Sequence, residues 1–214
     1  MSKSTQSSIP GSEGEHQLQK QFDSEKRALA FYNKQVLDKL APLMQTFVEQ
    51  QHMFFMATSD KHGDCDCTYR AGDPGFITVI DNKTVIYPEY RGNGVMASLG
   101  NITGNPHIGM VLIDFFATQV GLHINGRADI ILADQLESEY KDDDDLIKRI
   151  KMNTVIEKTE CYVRVEVDEA YIHCSKHIPV LKKMDKALHW GTDDQTLKGG
   201  DAFKVKKYPR PWTD

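Results

Sequence analysis

The stretch Cys67–Pro106, CTYRAGDPGFITVIDNKTVIYPEYRGNGVMASLGNITGNP, decides the fold, because it sets an anion-binding arrangement between the strands of a barrel. Gly75 to Ile80 and Thr84 to Tyr87 read as strands joined by Asp81-Asn82-Lys83, a short polar loop of the kind that closes a hairpin. Pro88-Glu89-Tyr90 then leads into Arg91-Gly92-Asn93-Gly94. The glycines permit positive φ and close backbone approach, while Arg91 supplies a forked cation. Val95, Met96, Leu99 and Ile102 follow at helical spacing, so the first amides of a short helix point back at the loop. Arg70, just before Ala71-Gly72, adds a second guanidinium if its strand lies alongside. Two arginines and helix-start amides suit a phosphate monoester. The competing readings are a tight surface turn for Gly92-Asn93-Gly94 and an exposed salt bridge for Arg70.

Working outward, short β-rich runs recur on both sides: Met53–Thr58, Cys65–Tyr69, Ile108–Phe115, Val120–Asn125, Arg127–Leu132 and Cys161–Ala170. Close spacing of short strands predicts a barrel. Before them, Ser24 to Gln50 carries apolar residues at three- and four-residue steps, from Ala28 and Leu29 to Phe47 and Val48, with Pro42 breaking the run. Two amphipathic helices are expected there, covering a barrel face or a dimer edge. Ala133-Asp134 is expected to open a charged helix through Lys151, with Asp142 to Asp145 as a solvated face. Residues 1–20 are polar and expected to be disordered, and 21–214 are expected to form a single domain with a C-terminal extension.

Composition narrows the function. The chain has 214 residues, 40% of them hydrophobic, enough for one good core. A net charge of -5 argues against a nucleic-acid surface, and no apolar run reaches the length of a membrane span. With no apolar leader among the first residues and only four cysteines (Cys65, Cys67, Cys161, Cys174), reduced thiols and a cytoplasmic location are expected. His173-Cys174-x-x-His177 with Cys65-x-Cys67 invites a zinc reading, but Cys65 and Cys67 two apart on a strand chelate poorly as a pair, and no metal is expected. A nucleophile elbow, a P-loop and a dinucleotide-binding glycine fingerprint are all missing.

The order of Phe54-Phe55-Met56-Ala57-Thr58-Ser59, Tyr69-Arg70-Ala71-Gly72, Pro74-Gly75-Phe76, the Tyr90-to-Asn93 loop, Asn105-Pro106 and Gly126-Arg127-Ala128 resembles the flavin mononucleotide (FMN)-binding split barrels related to pyridoxamine 5′-phosphate oxidase. The likeness covers about Met53 to Lys176 and is strongest to a branch described generally as FMN-dependent enzymes, in which an aromatic-His-Cys-x-Lys segment also recurs. The resemblance implies a mainly β fold with flanking helices, an FMN-binding split β-barrel, and a homodimer with one flavin at each end of the subunit interface. It implies an FMN-dependent oxidoreductase acting on a small molecule with a separate electron donor or acceptor. Arg70 and the Tyr90, Arg91, Gly92, Asn93 and Gly94 loop match the phosphate-gripping positions. Ala71 and Gly72 are expected at the isoalloxazine edge, and Lys176 near the ring or its phosphate. Pyridoxamine phosphate oxidases carry an Arg-Lys pair in this loop and an Arg-x-His near the C-terminus. Here Gly92-Asn93-Gly94 and His189-Trp190-Gly191 stand instead, so vitamin B6 oxidation is not expected. The alternatives are a non-catalytic flavin sensor or carrier, a split barrel that has lost its cofactor, and a barrel binding deazaflavin or haem, for which His173, His177 and His189 offer ligands to the haem.

Overall fold

A computed structural model describes residues 9–189, 192, 194, 196–197 and 200–212. Two helices, α1 (Glu13–Gln21) and α2 (Glu25–Gln35), precede a two-residue strand β1 (Val36–Leu37) and helix α3 (Pro42–Glu49). The strands β2 (Met53–Ser59), β3 (Cys65–Ala71), β4 (Thr78–Asp81) and β5 (Thr84–Tyr90) follow. Helix α4 (Ala97–Gly104) leads to β6 (His107–Ile113) and β7 (Gly121–Leu132); α5 (Leu136–Glu139) and α6 (Asp144–Met152) precede the long β8 (Thr159–His173). No helix among the described residues is long and apolar enough to cross a membrane.

All strand pairings are antiparallel, in the order β3-β2-β6-β7-β8-β5-β4, with β1 added beside the end of β8. The sheet curls. Phe54 on β2 meets Tyr87 on β5 edge to face at 4.9 Å, and the Tyr87 hydroxyl donates to Met56 Sδ at 3.5 Å, although three strands separate β2 from β5 in the order. Period-2 alternation puts Phe54 and Met56, Met110 and Leu112, Leu122 and Ile124, and Val163, Val165 and Val167 inside one apolar core, which Leu40 from the segment before α3, Val48 from α3 and Ile102 from α4 close. A smaller cluster of Ile86, Ile131, Tyr162, Leu136, Leu146 and Ile150 seats α5 and α6 on the outer side of β5, β7 and β8. The fold is mainly β with flanking helices.

Several elements differ from the sequence expectation. Helix α1 begins within residues 1–20 and runs to Gln21, with Ser12 Oγ capping it by accepting from the Glu15 amide at 3.2 Å; residues 1–8 lie outside the described residues, as do Trp190 and Gly191. The strand expected from Gly75 begins only at Thr78, because Gly75 takes φ +93° and the Phe76 amide turns back onto the Asp73 carbonyl. The expected strands 120–125 and 127–132 are one strand, β7, with a bulge at Asn125/Gly126. The helix expected from Ala133 to Lys151 is broken, because Asp143 Oδ1 accepts from the Leu146 amide at 2.9 Å and starts α6 afresh.

Candidate functional site

The curl leaves a split between the two ends of the sheet. β4 pairs with β5 only through Thr84–Ile86, so the Tyr87–Tyr90 end of β5 faces the edge strand β3 across an open cleft of about 570 Å³. Residues 66–71 of β3, residues 88–99 and Glu160 at the start of β8 line it. Arg70, Ala71, Tyr90, Arg91, Gly92, Asn93 and Gly94, which the sequence singled out, all meet here.

The loop is built by its own residues. Asn93 Oδ1 accepts from the Val95 amide at 3.0 Å, so this oxygen shapes the turn rather than facing a ligand. Gly94 holds φ +80°, and a Cβ added at Gly92 or Gly94 would meet nothing within 4 Å. Met96 then takes the left-handed conformation, φ +56°, and α4 starts without a side-chain cap, with Ala97, Ser98 and Leu99 of its first turn among the residues that line the cleft. Three side-chain hydrogen bonds hold α4 against the barrel: Ser98 Oγ to Asp66 Oδ2 at 3.1 Å, Asn101 Nδ2 to Thr58 Oγ1 at 3.1 Å, and Asn105 Nδ2 to Ser59 Oγ at 2.9 Å. The Tyr90 hydroxyl accepts from the Val155 amide at 3.2 Å and ties the loop's entry to the segment before β8.

Arg70 is not an exposed surface cation. Its Nε donates to Glu89 Oε1 at 2.7 Å, and Nη1 donates to Thr68 Oγ1 at 3.3 Å and to the Tyr69 carbonyl at 3.0 Å. Glu89 is buried, with 8% of its side chain exposed. Burial pushes its carboxyl above the ordinary range, while the Arg70 guanidinium pulls it back. The same burial, with Glu89 nearby, drives the Tyr87 hydroxyl well up and the Cys161 thiol to about 12. Sequence reasoning passed over Glu89, although strand alternation places it on the face of the buried Tyr87 two residues earlier. Asp66, Ser98 and Glu160 were also missed, since single polar residues carry no local signal of a shared cleft.

Two expected residues lie elsewhere. Gly72 is absent from the cleft lining: a Cβ there would come within 2.5 Å of the Phe76 ring, so this glycine serves the packing of Phe76. Lys176 is exposed in a short turn beyond the C-terminal end of β8, whereas the cleft sits at the opposite end, where Thr159 pairs with Tyr90. The 15 residues of β8 separate them within one chain. At the C-terminal end of β8, His173 Nδ1 and His123 Nε2 approach at 2.8 Å, and burial together with His173 holds His123 below its usual pKa.

Residues 40–174, more than half of the chain, match the family described as Pyridoxamine 5′-phosphate oxidase. No curated protein matches the chain. Similar solved structures include HupZ from Group A Streptococcus, 18% identical over 62% of this chain and 93% of that one, with a TM-score of 0.43. General Stress Protein 26 from Bacillus anthracis is 12% identical over 59% and 88%, at 0.40. HutZ, described as a heme storage protein from Vibrio cholerae, is 13% identical over 63% and 94%, at 0.39. At these identities and scores the structures add no argument to the family match.

Proposed function

The chain belongs to the pyridoxamine 5′-phosphate oxidase family, and on that premise we propose that it is a homodimeric cytoplasmic flavoprotein that binds FMN noncovalently for redox chemistry on a small molecule. The observation that carries this reading is the meeting of Arg70, Arg91 and the uncapped start of α4 at one cleft inside the family-matched segment. The residues fit the phosphate end of the cofactor: two guanidinia, first-turn amides, and a glycine loop with open space above it. When bound, the flavin supplies the electron and hydride transfer. Arg70 and Arg91 hold phosphate oxygens, the small Ala71 leaves room for a planar ring, and Tyr90 fixes the loop. Lys176 reaches a cleft only from a second copy, and the exposed Phe55 and Tyr69 pair on the outer face of β2 and β3 supports such a copy.

Purified protein mixed with FMN and desalted is expected to keep the mononucleotide and show the absorption of an oxidised flavin. Protein that emerges colourless would remove the flavin reading. Retained flavin that no donor reduces would identify a carrier rather than an enzyme, and sedimentation should give twice the chain mass. Arg91→Ala is expected to weaken FMN binding by about 1.5–3 kcal/mol, as for a charge-assisted hydrogen bond, with the fold intact by circular dichroism. Unchanged affinity would take Arg91 out of the site.

A further inference from the structure

We propose that Glu89 is the residue that sets the cleft's affinity for phosphate: it orients Arg70 before phosphate binds and takes up a proton as the phosphate enters. This rests on the cleft being the phosphate end of the proposed flavin site. Among the groups lining the cleft, two guanidinia (Arg70, Arg91) face three carboxyls (Asp66, Glu89, Glu160). A phosphate dianion therefore enters a site whose formal balance is already negative. Asp66 is engaged by the Ser98 hydroxyl, and Glu160 is exposed at the start of β8. Glu89 differs, being buried with Arg70 as its charged partner.

The groups around Glu89 leave it as the place for the proton. From β3 it meets Arg70, from β5 the neutral Tyr87, and from β8 the neutral Cys161 with Glu160 beyond; Tyr90 and Arg91 follow it in the loop. The carboxylate accepts from Arg70 Nε and neutralises the guanidinium. Among the described residues, Nε and Nη1 have protein partners, and Nη2 is the nitrogen left for a ligand oxygen. An arriving phosphate repels the carboxylate and competes for the same cation. Uptake of one solvent proton turns Glu89 into a carboxylic acid whose carbonyl oxygen still accepts from Nε, while the guanidinium charge passes to the phosphate. No bond other than the new O–H forms or breaks within the protein. Burial, which already raises Glu89, works in the same direction. By linkage, a site that gains a proton on binding loses affinity as pH rises through the window between the free and bound pKa of Glu89.

Titration calorimetry of FMN into wild type and Glu89→Gln, in buffers of differing ionisation enthalpy, measures the protons taken up. Wild type is expected to take up as much as one proton and to lose as much as tenfold in affinity per pH unit. Glu89→Gln is expected to lose that uptake and flatten the profile, apart from the phosphate's own second ionisation, which both proteins share. Glu160→Gln, at the exposed rim, should keep the uptake. Riboflavin, which lacks the phosphate, should bind without it. Equal uptake and slope in wild type and Glu89→Gln would overturn the proposal while leaving the flavin site standing. If inorganic phosphate binds with Glu89-dependent uptake and FMN does not bind, the proposal stands and the flavin reading falls; if neither binds, both fall. Should Glu89→Gln not fold, infrared difference spectra of wild type with inorganic phosphate decide: a new carboxylic-acid carbonyl band supports the proposal, and its absence overturns it.

Discussion

Replacing Arg70 with alanine is expected to destabilise the protein by about 3 kcal/mol at alkaline pH, and by much less in acid. Removing one partner of a buried ion pair costs roughly 3–5 kcal/mol, because the other charge is left uncompensated. Here the low end applies, since 23% of the Arg70 side chain is exposed and the open cleft lets water screen what remains. The pH dependence follows from Glu89. Burial raises its folded pKa above the unfolded value, so the folded protein holds that proton more tightly. The associated stability is complete below the ordinary carboxylate range and is lost as pH rises through the folded pKa. Without Arg70, the two influences that lower this pKa are gone and the losing window moves to higher pH. Urea unfolding at about pH 5 and about pH 8 checks this: the gap between variant and wild type should widen with pH, and Arg70→Ala/Glu89→Gln should close most of it. A loss of equal size at both pH values would mean that Arg70 acts through packing alone.

Gly126→Ala is expected to do comparable damage by a different route. Gly126 lies on β7 at the bulge, where Asn125 pairs with Glu169 but Gly126 pairs with Val167, leaving Asp168 as the extra residue on β8. A Cβ added here would fall 2.0 Å from the Glu166 carbonyl oxygen and 3.0 Å from its carbon. These are backbone atoms of a central strand, so relief requires moving the β7–β8 pairing itself. Overpacking of this kind costs about 3 kcal/mol or more, which for a chain of this size lowers the melting temperature by roughly 6–12 °C. Gly100→Ala is the comparison: within α4 it meets nothing within 4 Å and should be neutral or stabilising by about 0.5–1 kcal/mol. A Gly126→Ala protein that melts with wild type would show that the bulge yields freely.

Both predictions turn on positions whose importance the chain shows only after folding. Strands were legible because their alternation is local: Phe54 and Met56 alternate with Phe55 and Ala57 whatever the rest of the molecule does. The break at Pro42 and the strand, loop and helix order around Arg91 were legible for the same reason, each resting on contacts within a few residues. Boundaries failed where a side chain or turn outcompeted the periodic pattern, as at Asp143 and Gly75. Gly126 appeared only as part of a family-like Gly-Arg-Ala segment, since the carbonyl it must avoid lies forty residues away on β8.

By itself, then, the sequence determined a chain of short strands with flanking helices, a glycine loop followed by a helix start, and two arginines suited to an anion, all of them consequences of period and turn chemistry. The tertiary structure decided what those arginines face. Curling brings β3 and β5 together from opposite ends of the strand order, so Arg70 meets a buried Glu89 that local reading had no reason to pair with it. The turn after β3 sets Gly72 against the Phe76 ring, and the length of β8 carries Lys176 away from the cleft. Register across a sheet is set by the summed burial of whole strands, and no single segment carries that sum.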